Sequence, residues 1–364
     1  MTDTSRLATA DRLEPWQDAR RTPEQYTADA PDTFEWWYFD ANLADGRALA
    51  VAFFIEPDAA NGRFAYRTRL NLSRPDGPPL KGEQRTDGDA AISTQRPDVR
   101  IGAAWLQGDL DTYRVVVDPG NHQGLGLDAT IQRTIPGRVS PTGTDIFLGD
   151  ERGLGWVNAV PRGTLLGTLT VDGQPTEVQG VAYHDHNWGR QTQGSMAHHW
   201  TWGRAAIGPY TAVFANVFPT HAYQLPGGAS AQSVYIASAD GVLVNVYGAG
   251  AARVTAPTAP NPGPRNHQAY FAPQVVYEVE QPGRRATIEV TPAGFLHDID
   301  LATETSSLSA EERAQAAQMT NKPWYSEFVA APVRLTIDDD GDAEPQTYQG
   351  GGIVEFMDFH LNPL

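Results

Sequence analysis

The residues with the greatest capacity for chemistry lie in one stretch of eight, Tyr183-His184-Asp185-His186-Asn187-Trp188-Gly189-Arg190. This stretch combines two imidazoles, a carboxylate, a carboxamide, an indole and a guanidinium. A second aromatic and basic run follows a few residues later, His198-His199-Trp200-Thr201-Trp202-Gly203-Arg204. Near the amino terminus, Glu35-Trp36-Trp37-Tyr38-Phe39-Asp40 adds carboxylates to aromatic side chains. Any hypothesis about a site must be built on these three motifs.

These motifs allow four hypotheses about function. Two of them depend on the titratable groups. His184 and His186 have the His-x-His spacing of some metal sites, with His198, His199 and Asp185 as further ligands. Neither a thiolate nor an HExxH motif accompanies them, so the sequence predicts no metal site. Alternatively, an Asp185 buried among aromatic rings would have a raised pKa and could deliver a proton to an alkene or a carbonyl.

The other two hypotheses use the shape and polarity of the motifs. A pocket could fold a flexible substrate into a reactive conformer, while hydrogen bonds from Tyr, Trp, His or Arg polarise a carbonyl. The polar groups could instead satisfy one another at a domain junction, because buried polar groups are normally paired for structural reasons. A Ser-His-Asp hydrolase is disfavoured, because Gly194-Ser195 lies in no nucleophile elbow. The glycines at 349–352 form neither a phosphate loop nor a dinucleotide fingerprint.

The three motifs are predicted to lie on β-strands, whose alternate residues share a face. Tyr183 and Asp185 therefore point one way, and His184 and His186 point the other. The strand pattern alone does not decide which pair lines a pocket. The same alternation applies to the other two motifs. On the first, Glu35, Trp37 and Phe39 are predicted to face away from Trp36, Tyr38 and Asp40. On the other, one face carries His198, Trp200, Trp202 and Arg204, and the opposite face carries His199 and Thr201.

The rest of the chain has the rhythm of an all-β protein, with short apolar runs between Gly, Pro and Asp turns. Asp45-Gly46 indicates a hairpin between Phe34–Leu43 and Arg47–Ile55. Val99–Leu106 is predicted as a single strand, and 73–98 and 250–268 are predicted as long surface loops. One helix is expected from Ser309 to about Met319, because Ser309 and Glu312 form a capping-box signature.

A weak internal repeat indicates two related β-units. Trp37-Tyr38-Phe39 leads through a turn into Ala48–Phe54, and Trp200-Thr201-Trp202 leads through Gly208-Pro209 into Thr211–Phe218. The predicted organisation is a polar amino-terminal arm over 1–30, in part ordered by Trp16, a first β-domain over 31–190 and a second over 191–364.

Composition limits the classes of function. The chain has 364 residues, 40% of them hydrophobic, with no cysteine and a net charge of −17. The charge disfavours binding to nucleic acid or to an anionic membrane surface, and the missing cysteines exclude disulfides and thiolate sites. Neither a signal peptide nor an apolar stretch long enough to cross a bilayer is evident, so no membrane insertion and a cytoplasmic location are expected. Assembly as a homodimer is compatible with the sequence.

The same motifs resemble those of a known family. Glu35–Asp40, Gly180–Gly189 and His199–Arg204 followed by Gly208-Pro209-Tyr210 are similar to the hydroxyneurosporene synthase (carotenoid 1,2-hydratase) superfamily. The similarity is greatest to its branch of natural-product cyclases, the lipocalin-like Diels–Alderases, and covers most of the chain from about residue 31. The resemblance implies two lipocalin-like β-barrel or sandwich domains, a hydrophobic small-molecule substrate and no cofactor.

The resemblance also implies roles for individual residues. The hydratase motif Tyr-x-Asp falls on Tyr183 and Asp185, the latter as the acid that protonates an alkene. The hydratase motif His-x-Trp is best matched by Trp156-Val157-Asn158, where both residues differ. In the cyclases the Glu of Glu-Trp-Trp and the Trp of Asp-His-Asn-Trp line the pocket, which corresponds to Glu35 and Trp188; a pocket lysine of some cyclases has no counterpart here.

The sequence therefore predicts a cyclase for a polyene or polyketide-like intermediate, most simply by [4+2] cycloaddition. Two alternatives are a hydratase or proton-initiated isomerase that uses Asp185 and a non-catalytic protein that binds a hydrophobic ligand. The predicted catalytic residues are Glu35, Tyr183, Asp185 and Trp188. The predicted substrate-binding residues are Trp37, Tyr38, His184, His186, Asn187, His198, Trp200, Trp202 and Arg204.

Overall fold

A computed structural model describes residues 12–21, 33–58, 63–139, 146–148, 153–223, 225, 230–263, 265, 267–304, 308–340 and 344–361. Over these residues the regular secondary structure is nearly all β-strand, with only short helical segments, which confirms the predicted all-β class. The chain folds into two compact units: unit 1 contains Met1–Leu72 and Pro79–Gln193, and unit 2 contains Ser73–Pro78 and Gly194–Leu364. Within the described ranges, no helix is long and apolar enough to cross a membrane.

Unit 1 is built on one antiparallel sheet in which β1 and β12 pair at the centre. The order of its strands is β4-β3-β2-β1-β12-β11-β9-β8-β7-β6-β5, with β10 paired to β11. The strands are β1 (Phe34–Leu43), β2 (Ala48–Asp58), β3 (Arg63–Leu72), β4 (Leu80–Thr86), β5 (Ala90–Ile92), β6 (Asp98–Ile101), β7 (Ala104–Gly108), β8 (Thr112–Val117), β9 (Leu125–Ile135), β10 (Ile146–Leu148), β11 (Leu154–Val171) and β12 (Gln174–Gly189).

The sheet of unit 1 curls into a nearly closed barrel, and side chains link β3 and β4 to the turn between β8 and β9. The main-chain N–H of Glu83 in β4 donates to Gln123 Oε1 at 2.7 Å, and Gln123 Nε2 donates to the Glu83 carbonyl at 3.1 Å. His122 Nε2 also lies 2.7 Å from Thr68 Oγ1 in β3. Alternate residues of each strand fill the interior, among them Trp37, Phe39 and Phe53.

Unit 2 repeats this plan with fewer strands. Its sheet has the order β16-β15-β14-β13-β21-β20-β19-β18-β17, so its first and last strands again pair at the centre. Its strands are β13 (Ala197–Ile207), β14 (Tyr210–Pro219), β15 (Ala231–Ser238), β16 (Gly241–Gly248), β17 (Arg253–Thr255), β18 (Val275–Gln281), β19 (Arg284–Asp300), β20 (Trp324–Asp339) and β21 (Gln346–Asp358). The core contains Phe214, Tyr277, Phe328 and Phe356.

The helix prediction is confirmed with a shorter span. Helix α2 covers Ala310–Ala316, and Ser309 and Glu312 form the expected capping box. It ends three residues before the predicted Met319. An unpredicted helical turn, α1 (Gln193–Met196), precedes β13.

Three local predictions were wrong. Val99–Leu106 is a hairpin, because Gly102 adopts φ +57° and turns the chain between β6 and β7. The segment 73–98 contains β4 and β5, and 250–268 contains β17. Polar, glycine-rich composition suggested loops at both places, yet these short strands pair at or near the edges of their sheets, where one face meets water.

Candidate functional site

The antiparallel pair of β1 and β12 places the motifs Glu35–Asp40 and Tyr183–Arg190 side by side. Its register sets Glu35 opposite Trp188, Trp37 opposite His186, and Tyr38 opposite Asp185. Paired residues of neighbouring strands share a face. Glu35, Trp37 and Trp188 therefore point to the interior with the histidines, while Tyr38 and Asp185 point to the opposite face.

His184 is held inside the barrel by partners at both ring nitrogens. Nδ1 lies 2.9 Å from the carbonyl oxygen of Tyr38, and Nε2 lies 3.0 Å from Asp18 Oδ2. The ring also stacks on Phe39 with 3.8 Å between the ring centroids. Asp18 belongs to a short 3-10 helix, Pro15–Asp18, and accepts a further hydrogen bond from the hydroxyl of Tyr113.

His186 has a comparable environment. Its Nε2 lies 2.8 Å from Glu35 Oε1, its Nδ1 lies 3.4 Å from the carbonyl oxygen of Gln17, and its ring stacks on Trp37. All four ring nitrogens of His184 and His186 are thus engaged. The metal alternative for this His-x-His pair does not agree with these contacts, because each nitrogen faces an oxygen acceptor, and a nitrogen that donates its N–H has no lone pair for a metal.

Glu35 and Trp188 are positioned by Arg21. The main-chain N–H of Arg21 donates to Glu35 Oε1 at 3.0 Å, and its guanidinium lies 3.4 Å above the centroid of the Trp188 ring. The indole lies against Gly155 on β11, where a Cβ atom would come within 2.0 Å of the ring. Residues 12–21 therefore pack against the interior face of both motifs. Trp16, the predicted anchor of the arm, is 48% exposed, and its neighbours Gln17 and Asp18 are buried instead.

The opposite face carries what we call the Asp185 centre: Asp185, Trp156, Tyr183 and Asn187. Trp156 Nε1 and the hydroxyl of Tyr183 donate to Asp185 Oδ2 at 2.8 and 2.9 Å. Asn187 Nδ2 donates to Asp185 Oδ1 at 2.8 Å. Burial raises the pKa of Asp185 to about 7, although the hydrogen bonds from Trp156 and Tyr183 act in the opposite direction.

The neighbours of the Asp185 centre are aromatic and charged. Burial, and then the charge of Asp185, raises the pKa of Tyr183 well above its ordinary value, so this hydroxyl stays a donor. Tyr38 lies 6.5 Å from Tyr183 between ring centroids, and Phe147 packs edge-on against Trp156 at 5.1 Å. Bulges in β11 between Val157 and Gly163 adjoin the centre, and bulges commonly re-aim side chains beside active sites.

The predicted catalytic residues therefore separate into two pairs. Tyr183 and Asp185 meet at one centre with Asn187, whereas Glu35 and Trp188 lie on the interior face with His186 and Arg21. Trp156, which the family comparison marked only as a position that differs, is a member of the centre. Its signal in the sequence was weak, because 29 residues separate it from Asp185.

In unit 2 the motif His198–Arg204 forms a second polar cluster. Trp200 and Trp202 are buried on β13, and Trp200 Nε1 donates to Glu355 Oε1 at 2.9 Å. The hydroxyl of Tyr325 donates to Glu355 Oε2 at 2.7 Å. Glu355 in turn pairs in register with Trp202 and Glu327. Glu355 was not predicted as a site residue. It is the one charged residue in the otherwise apolar run Ile353-Val354-Glu355-Phe356-Met357, and this is the signal that could have identified it.

Further residues extend this second cluster across neighbouring strands. His297 Nδ1 lies 2.9 Å from Glu327 Oε2, and both side chains are buried. Arg204 is also buried on β13. The predicted Trp200, Trp202 and Arg204 thus belong to a face that also carries unpredicted titratable groups.

His198 lies at the start of β13, where a bulge between Ala197 and His199 changes the register. Its Nδ1 is 2.7 Å from Nδ1 of His199, whose ring stacks on Phe218. Burial and the neighbouring imidazole lower the pKa of His199 to about 4, and burial and His360 lower that of His198.

Comparison with known proteins agrees with this architecture. Residues 134–245 match the family model described as Diels-Alderase-like. The match includes β11 and β12, with the whole Asp185 centre, and β13 with the motif His198–Arg204. The match confirms the resemblance to Diels–Alderases over residues 134–245.

Solved structures of low identity share the fold. CghA is 18% identical with a TM-score of 0.61, over 90% of this chain and 89% of that one. Kievitone hydratase from Nectria haematococca is 12% identical with a TM-score of 0.57, over 96% and 98%. A candidate AttH protein of Nitrosomonas europaea is 14% identical with a TM-score of 0.62, over 94% and 97%. No curated protein matches the sequence.

Proposed function

We propose that this Diels-Alderase-like protein is a cyclase that folds a hydrophobic polyene or polyketide-like intermediate for [4+2] cycloaddition. The observation that carries the proposal is the family match over residues 134–245, because this stretch contains the Asp185 centre. The fold shared with CghA supports it. A cycloaddition moves electrons within the substrate, so holding diene and dienophile in contact supplies much of the rate, about 7–11 kcal/mol of barrier at best.

Asp185 is the group best suited to assist the reaction. With a pKa of about 7, a large share of the carboxyl groups is protonated at neutral pH. Its Oδ2 accepts two hydrogen bonds and its Oδ1 accepts one, so a proton on Oδ1 can donate to a substrate carbonyl. Such a donor polarises the dienophile, as buried protonated carboxyl groups do for other carbonyl substrates.

The test uses a synthetic linear polyene with a conjugated diene and an α,β-unsaturated carbonyl group. The purified protein should accelerate cyclisation above the spontaneous rate and yield one stereoisomer, without incorporating deuterium from D2O. Acceleration should decline as the pH rises through about 7, because the donating form of Asp185 is lost. Binding of the polyene without acceleration would contradict the proposal and favour a ligand-binding role.

The raised pKa of Asp185 also favours a second candidate, a hydratase or proton-initiated isomerase. In a hydratase Asp185 would protonate an alkene carbon, water would add to the resulting cation, and the proton lost from that water would restore the acid. Kievitone hydratase shares the fold. This candidate predicts one solvent deuterium on carbon in the product and loss of turnover in Asp185→Asn, so the D2O experiment separates the two.

A further inference from the structure

A separate group of potential ligands lies at one end of the sheet of unit 2, where β13 begins and β21 ends. The main-chain N–H groups of Phe359 and His360 both donate to the carbonyl oxygen of His198, at 2.9 and 3.2 Å. This backbone contact brings His198, Asp358 and His360 together. One ligand atom of each lies within 4.8 Å of the others.

The imidazoles of this group are arranged as potential ligands. His198 Nδ1 lies 2.7 Å from Nδ1 of His199, so one of the two nitrogens must present a lone pair to the other. His360 Nδ1 lies 2.6 Å from Asp358 Oδ1. His360 Nε2 is a buried atom with no hydrogen-bond partner among the described residues, which is uncommon for a polar atom out of contact with water.

The backbone also holds His360 in an unfavourable conformation. Its φ is +36°, the left-handed region that residues other than glycine seldom adopt. The Asp358 carboxylate is buried, and its Oδ2 accepts a hydrogen bond from the main-chain N–H of Tyr270. Strained backbone tends to occur where a side chain must be held in place for binding or catalysis. Here it keeps one imidazole against a buried carboxylate.

We propose that His198, Asp358 and His360 bind one divalent ion of a first-row transition metal. Two imidazoles and a carboxylate are a donor set for Zn²⁺, Co²⁺ or Ni²⁺, whereas Mg²⁺ and Ca²⁺ prefer oxygen ligands. The ion replaces the contact between Asp358 and His360 with bonds to the metal. It joins the first strand of unit 2 to its last in a chain that has no cysteine for a disulfide. No metal site was predicted from the sequence, because no thiolate or HExxH motif accompanies the histidines, and Asp358 and His360, which lie more than 150 residues after His198, were not considered.

The test titrates metal-stripped full-length protein with Co²⁺ and follows visible absorption, with calorimetry for the stoichiometry. We expect one equivalent to bind with the spectrum of Co²⁺ held by nitrogen and oxygen ligands, and Zn²⁺ to displace it. His360→Gln and Asp358→Asn should each weaken the affinity by at least about 100-fold, more than the loss of an outer-shell partner usually does. His221→Gln is the control, because His221 is an exposed histidine of the same unit.

A second measurement separates binding from folding. Zn²⁺ should raise the melting temperature of the native protein and of His221→Gln but not that of His360→Gln, because an ion stabilises only the state that binds it. Circular dichroism of the metal-free variants checks that they fold. The proposal is overturned if no saturable binding occurs, if His360→Gln binds as tightly as the native protein, or if His221→Gln loses the same affinity.

Discussion

Asp185 shows how burial and hydrogen bonding compete at a single residue. Three donors within 2.9 Å favour its charged form, yet the removal of water raises its pKa to about 7. Transfer of a carboxylate out of water costs more than a few neutral donors return. The result is an acid that changes charge near neutral pH, as acid–base catalysis and carbonyl polarisation both require.

The raised pKa makes the stability of unit 1 dependent on pH. Between pH 4 and 7 the folded form keeps a proton on Asp185 that the unfolded chain releases, so the free energy of unfolding falls as the pH rises. The free energy of unfolding falls by about 4 kcal/mol in total, because the pKa of Asp185 differs by about 3 between the folded and unfolded chains. Urea unfolding of Asp185→Asn should lack this loss, and the variant should be more stable than the native protein at pH 8.

The matched control for that experiment is Asp76→Asn, because Asp76 is exposed. This variant should follow the native pH profile within about 0.5 kcal/mol. If Asp185→Asn showed the full native loss between pH 4 and 7, Asp185 would not be the group that titrates.

Glu35 was predicted to be catalytic, whereas its observed contacts are those of a buried residue that pairs with its neighbours. It accepts from the main-chain N–H of Arg21 and pairs with His186, all out of contact with water. Glu35→Ala should lower the free energy of unfolding by about 3–5 kcal/mol, because it leaves two buried groups without a partner. Chemical denaturation measures this, with the exposed Glu177→Ala as control.

Kinetics of Glu35→Gln then separate a structural role from a catalytic one. The amide oxygen still accepts a hydrogen bond, so a positioning role predicts near-native turnover in the folded variant. A large fall in kcat with little change in stability would instead support the catalytic role that the family resemblance implies.

At the scale of elements, local patterns predicted the strands that carry the motifs well. Strand β1 has the predicted bounds Phe34–Leu43. As predicted, Tyr183 and Asp185 lie on one face of their strand, and His184 and His186 lie on the other. Alternation is a property of every strand, so it can be read without partners. The register is not local. The contacts of Trp156 with Asp185 and of Asp18 with His184 join residues 29 and 166 positions apart, and no pattern within one strand specifies them.

The close contact of two strands beside Trp188 gives a prediction for β11. A Cβ atom at Gly155 would lie 2.0 Å from the indole, so Gly155→Ala must displace Trp188 from beneath Arg21. We expect a loss of about 1–3 kcal/mol in the free energy of unfolding, with a shift in tryptophan fluorescence. Gly88→Ala is the control, because nothing lies within 4 Å of its Cβ position. Equal effects in the two variants would contradict the steric reason.

At the scale of the whole molecule, the two units repeat one strand plan. In each, the first strand of the unit pairs with its last, and hairpins extend to either side. The weak repeat in the sequence placed β1–β2 and β13–β14 at corresponding positions, and the sheet orders agree with it. Asp185 and Glu355 lie on the last strands of their units, opposite Tyr38 and Trp202 on the first strands. Each accepts hydrogen bonds from an indole N–H and from a tyrosine hydroxyl.

This similarity of contacts predicts that Glu355 contributes to the proposed cyclase reaction. Glu355→Gln keeps one oxygen that accepts from Trp200, and its amide N–H can donate to the Tyr325 hydroxyl, but the charge is removed. The protein should therefore fold normally while kcat/KM falls by at least about 100-fold, the low end of what one acid–base or polarising group supplies. The exposed Glu280→Gln is the matched control. Unchanged kcat/KM would indicate that Glu355 serves folding alone. Buried indole and tyrosine donors need an acceptor whether or not a substrate binds.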